Sequence, residues 1–143
     1  MNIAGIIRDE VLLDTAPLVA AIQAALPKTI AIWAFGSRIS GTEHAESDLD
    51  LAVLVAGYAD SVLLWELSGQ LAEIAGCAVD MLDMRAASTV MQYQILQTGR
   101  RLWADALPAG LFECYVLSEK IWLDQARAPL LADIQARGSV YGR

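Results

Sequence analysis

The sequence predicts an α/β protein, α+β-like in its element order, in which a small mixed β-sheet is flanked by helices. Three observations predict it. Two short apolar runs, Thr29–Phe35 and Leu49–Val55, read as buried strands. The loop between them is too short to hold a crossover helix, so the pair is expected to run antiparallel. A third short run, Ala78–Leu82, follows a segment of helical period, and helical periods also stand before and after this set. The sequence carries no Gly-x-Gly-x-x-Gly run, and with the antiparallel pair this excludes a plain doubly wound dinucleotide fold.

The elements follow in order. Val11, Leu12, Leu18, Val19, Ile22 and Leu26 give residues 8–26 one apolar stripe, with a fresh helix start at Asp14-Thr15-Ala16-Pro17 and a stop at Pro27. After the two strands, Gly57-Tyr58-Ala59-Asp60-Ser61 is a turn ending in an N-cap. Residues 61–75 then form a helix with Leu64, Leu67, Leu71 and Ile74 inward, and Gly76 takes the position beyond its end. Asp83 is expected to cap a helix over about 85–97 that Gly99 ends, and Arg101-Leu102-Trp103 to form a small edge strand. A long helix over about 110–126 and a shorter one from Pro129 to about Arg137 complete the chain. The whole, residues 1–143, reads as one domain, with a catalytic sheet over about 29–104 and C-terminal helices over about 108–137.

Composition narrows the function. The chain is 56% hydrophobic and 19% charged, the profile of a packed globular protein and not of a disordered one. A net charge of −7 argues against a broad grip on DNA or RNA, which needs clustered Lys and Arg. A nucleotide remains compatible, because a divalent cation supplies the compensating charge. Two cysteines, Cys77 and Cys114, without metal-type spacing fit a reduced cytoplasmic setting. With no basic leader and no apolar run of about 18 residues, neither export nor a membrane span is expected.

The chemistry concentrates between the first two strands. Gly36-Ser37 closes the first apolar run, and Asp48-Leu49-Asp50 opens the second. Strand side chains alternate, so Asp48 and Asp50 share a face. Two like charges held side by side repel unless a cation lies between them. Asp80 adds a third carboxylate if its strand lies beside the second. Three oxygen ligands without Cys or His are a hard-cation set, suited to Mg²⁺ or Mn²⁺. Such a set serves in-line displacement at phosphorus, with Asp48, Asp50 and Asp80 as metal ligands and Asp80 also placed to draw a proton from the incoming hydroxyl. The Gly36 and Ser37 amides, the Ser37 hydroxyl and Arg38 would hold the nucleotide phosphates.

These residues resemble the polymerase-β-type nucleotidyltransferase superfamily: Gly36-Ser37, ten residues, Asp48-Leu49-Asp50, then the lone strand carboxylate Asp80. Within it, the short chain is similar to the minimal nucleotidyltransferases, the MntA-type antitoxins encoded beside HEPN-domain toxins. The Ser47-Asp48-x-Asp50-Leu51 strand, Val79-Asp80 and, more weakly, the ending Arg137-Gly138-Ser139-Val140-Tyr141-Gly142 carry the match. The resemblance implies the superfamily's fold and a Mg²⁺-dependent transfer of AMP from ATP to a tyrosine of a HEPN ribonuclease. That modification inactivates the toxin, in a hetero-oligomer with it and without direct nucleic-acid binding.

Other readings stand beside these. Arg38 can pair with Glu43 or Glu46 on its own loop, and His44, the one histidine, reads as a solvated loop residue with a catalytic base as the alternative. Ser47 either braces the aspartates or caps the turn. Asp83 suits a helix cap better than a metal ligand. The stripe Phe112, Tyr115, Glu119, Trp122 has the spacing of core packing, with a partner-facing surface as the alternative, and Tyr141 reads either as part of a frayed tail or as a residue reaching a partner. Two other functions are kept: a subunit that neutralises its toxin by binding alone, and nucleotidyl transfer to a small molecule or an RNA end.

Overall fold

The structure is a computed structural model and describes residues 14–36 and 48–137. Its elements run α1 (Ala16–Ala25), β1 (Thr29–Phe35), β2 (Leu49–Val55), α2 (Ser61–Ala75), β3 (Val79–Asp83), a 3-10 turn (Met84–Ala86), α3 (Thr89–Thr98), β4 (Arg100–Ala104) and α4 (Ala106–Arg137). The sheet has the order β3-β2-β1-β4. As expected, β1 and β2 are antiparallel; β1 and β4 are too. β2 and β3 are parallel, joined by α2 as the crossover that parallel strands require.

The alternation of β2 fixes which way the acids point. Leu49, Leu51, Val53 and Val55 enter one core with Leu18 and Ile22 of α1 and Leu64, Leu67 and Leu71 of α2. Ala52 and Leu54 enter the other, with Ile95 of α3 and Ala109, Phe112 and Val116 of α4. Asp48 and Asp50 therefore belong to the α3/α4 side. A slip of one residue would drive both carboxylates into the first core and expel two leucines, so burial of that face pins the register.

Local signals set most boundaries. Asp60 accepts the Val62 N–H at 3.0 Å and starts α2, while Gly76, at φ 76°, ends it in the left-handed conformation. α1 starts where the Asp-Thr-Ala-Pro signal places it; residues 8–13 of the expected helix lie outside the described residues. Ile74, expected to face inward, is 44% exposed because α2's buried stripe stops at Leu71.

Two expectations about the second half are corrected. Asp83 caps the short 3-10 turn, not α3, whose N-cap is Ser88, accepting the Met91 N–H at 3.1 Å. The two C-terminal helices are one helix of 32 residues, with Pro129 inside it. Proline removes one N–H and crowds the carbonyl of residue i−4, here Gln125. Gln125 and its neighbours are exposed, so the carbonyl that loses its partner stays open to solvent and the helix continues.

Candidate active site

The acids meet where β2 begins. Asp50 is flanked on both sides, by Phe35 of β1 and by Asp80 of β3. Register partners on parallel strands carry their side chains to the same face across about 4.8 Å. Leu82, two residues beyond Asp80, packs on the second core, which confirms that Asp80 shares the face of Asp50. Asp50 is half-buried, whereas Asp48 and Asp80 are exposed. Burial raises the Asp50 carboxyl above the ordinary aspartate range, and the charges of Asp80 and then Asp48 raise it further.

Gly36 completes the corner. Its φ of 89° is one that L side chains rarely adopt, and a Cβ there would overlap Asp50 Oδ2 and stand 3.1 Å from Asp50 Cγ. The glycine thus lets the backbone lie directly against the carboxylate. Beside it opens a cavity of about 340 Å³, lined by Phe35, Gly36, Met91, Gln94, Ile95 and Thr98. Apolar walls edged by an amide and a hydroxyl suit a flat, polar-rimmed ligand.

As the side chains stand, no three acid, thiol or imidazole groups among the described residues are gathered closely enough to hold a metal ion. The donor set nevertheless fits a hard cation. Three carboxylates stand at one sheet end, and the charges that raise Asp50 after burial are the repulsion a divalent ion would relieve.

Of the predicted site residues, the structure brings together Gly36, Asp48, Asp50 and Asp80. Ser37 and Arg38, with His44, Ser47 and Tyr141, lie outside the described residues. Asp83 is committed elsewhere: its carboxylate accepts the Ala59 N–H at 2.9 Å and the Arg85 N–H at 3.1 Å. The aromatic stripe of α4 is not core beyond its first member. Phe112 is buried, but Tyr115 and Trp122 are 56% and 65% exposed: the buried stripe runs Ala109, Phe112, Val116, so Tyr115 lies beside it and Trp122 beyond its last member. Sequence reasoning missed Gln94 and Thr98 of the cavity, which sit at helical positions with no motif to mark them.

Comparison with known proteins defines the class. The family model described as polymerase beta, nucleotidyltransferase matches residues 19–106. The chain belongs to this nucleotidyltransferase family. Among individual relatives, it is similar to the protein adenylyltransferase MntA of Shewanella oneidensis, 37% identical over 111 residues, or 78% of this chain and 80% of that protein. It also resembles a chain from a toxin–antitoxin crystal structure with AMP-PNP, at TM-score 0.73 and 34% identity, covering 82% and 95% of the two chains. A third likeness is to a complex of tri-AMPylated Shewanella oneidensis HEPN toxin with MNT antitoxin, at TM-score 0.68 and 30% identity, covering 83% and 93%.

Proposed function

We propose that this chain is the antitoxin of a HEPN toxin–antitoxin pair, transferring AMP from ATP to a tyrosine of the cognate HEPN ribonuclease and so inactivating it. The observation that carries the reading is the corner formed by Asp50, its register partner Asp80 and the glycine backbone laid against it. Its family supplies the reaction class, and the MntA relative, named an adenylyltransferase, supplies the protein acceptor. Residues 1–143 act as one minimal catalytic unit in the cytoplasm; among the described residues no helix is long and apolar enough to cross a membrane.

In the reaction the tyrosine oxygen attacks the α-phosphorus, a new P–O bond forms, the bridging α–β P–O bond breaks and diphosphate departs. Asp48, Asp50 and Asp80 would hold Mg²⁺ or Mn²⁺, which when bound neutralises charge on the phosphates and lowers the pKa of the attacking hydroxyl. Asp80 receives the hydroxyl proton. Gly36 gives the phosphates close access to the backbone, joined there by Ser37 and Arg38, and the cavity toward Gln94 and Thr98 has room for the nucleoside.

A subunit acting by binding alone would have no use for a desolvated carboxylate raised by two neighbours. The experiment is co-expression with the neighbouring toxin, followed by mass spectrometry. Wild type adds one or more AMP units to the toxin, and Asp48→Asn reduces transfer by about a thousandfold or more. Equal rescue from toxicity by Asp48→Asn would favour the binder, and transfer to a small molecule or RNA in place of the toxin would change the acceptor.

A further inference from the structure

We propose that the groove between α2 and the outer edge of β3 is where the acceptor protein docks, as an extended tyrosine-bearing segment anchored on Trp65. The proposal rests on the adenylyl-transfer reading above and deepens it by giving the acceptor a route. In-line displacement requires the attacking oxygen to approach opposite the departing diphosphate. The sheet order sets those two sides. β1, ending in Gly36, flanks β2 on one side, and β3, carrying Asp80, flanks it on the other. With the phosphates at Gly36, the hydroxyl has to arrive over β3.

A groove is already there. A cavity of about 380 Å³ runs beside β3, with Asp80, Met81 and Leu82 along one wall and Ser61, Trp65 and Ser68 along the other. Its lining therefore includes, at the edge strand, the residue whose carboxylate is assigned to the acceptor hydroxyl. Ser61, Trp65 and Ser68 follow helical spacing on α2, out of phase with the buried Leu64, Leu67 and Leu71. Trp65 is 78% exposed, the most of any large apolar side chain among the described residues. An indole left in water beside a groove is the usual anchor of a protein interface, since covering it removes about 150–250 Å² of mainly apolar surface.

Two further features fit a polypeptide and not a small molecule. β3 is an edge strand among the described residues, so an extended segment laid along it meets unpaired main-chain groups. Among the described residues the groove lining includes Asp80 and Asp83 and no Lys or Arg, so it favours a segment carrying basic residues.

The test is steady-state AMP transfer to the neighbouring HEPN toxin, with toxin and ATP varied separately. Trp65→Ala should raise the KM for toxin about tenfold or more, with kcat within about twofold and the KM for ATP unchanged. Trp65→Phe should recover most of the loss, and thermal melting should confirm that both variants fold. An unchanged toxin KM in Trp65→Ala, or an equal rise in the KM for ATP, overturns the groove while leaving the transfer reading intact. So does a Trp65→Ala variant whose only change is loss of a homodimer, which would make this face a contact between copies. A wild-type chain that transfers no AMP to the toxin overturns both.

Discussion

The two ends of the same pair of strands treat their carboxylates in opposite ways. At the far end, Asp83 accepts two backbone N–H groups, and Arg85 donates to the carbonyls of Gly57 at 2.8 Å and Val55 at 3.0 Å while its guanidinium lies 5.6 Å from the Phe112 ring centre. Every charge there has partners, and the arrangement ties the turn after β2 to the turn after β3. At the near end, the charges of Asp80 and Asp48 bear on Asp50, and among the described residues no donor meets the Asp50 carboxylate. A half-buried carboxylate raised by burial and by like charges weakens the fold. The difference separates acids that brace the fold from acids that burden it. The satisfied charges tie the sheet together, and the unsatisfied ones are those assigned above to the proposed metal and phosphate chemistry.

The contrast can be broken from either end. The largest effect is expected from Gly36→Ala. Its Cβ overlaps the Asp50 carboxylate, and its left-handed backbone costs about 1–2 kcal/mol for a residue with a side chain. Displacing Asp50 by an ångström is expected to cut AMP transfer about a hundredfold or more, measured on protein shown to be folded by circular dichroism. Next comes Asp83→Ala, which orphans two partly buried N–H groups and should destabilise by about 2 kcal/mol in denaturant titration. The kcat per folded molecule at saturating toxin should stay within about twofold, since Asp83 is not one of the near-end carboxylates. The smallest effect is on pH dependence without metal. The Asp50 carboxyl is raised in the folded state, so the fold binds its proton more tightly than the unfolded chain does. Relative to Asp50→Asn, wild type should therefore lose stability as pH rises from the ordinary aspartate range through the raised value, and then level off.

Much of this was legible in the sequence. The strands stood out as short apolar runs bounded by glycine and aspartate, and a loop too short for a helix gave the antiparallel β1–β2 pair. Asp80 was legible because a charge in a short apolar run needs a reason. What stayed hidden depended on packing at a distance. Pro129 looks like a stop in any local reading, yet the exposure of Gln125 leaves the orphaned carbonyl to water. Ser88 and Asp83 are both good caps, and only the 3-10 turn between them assigns each its role. The spacing of Phe112, Tyr115 and Trp122 is that of a buried stripe, but the stripe that packs is Ala109, Phe112 and Val116, which leaves Tyr115 beside it and Trp122 beyond it. Trp65 carried one local signal, an indole out of phase with the leucines of its own helix. Its meaning needed the sheet order.

The central claim is that the near-end carboxylates are kept for chemistry at the expense of the fold, and Asp50→Asn tests it most directly. Thermal melting of metal-free protein and AMP transfer to the toxin would be measured on the same preparation. The account predicts a melting temperature equal to or above that of wild type at neutral pH, together with loss of transfer. A melting temperature several degrees lower, or transfer at the wild-type rate, would contradict it.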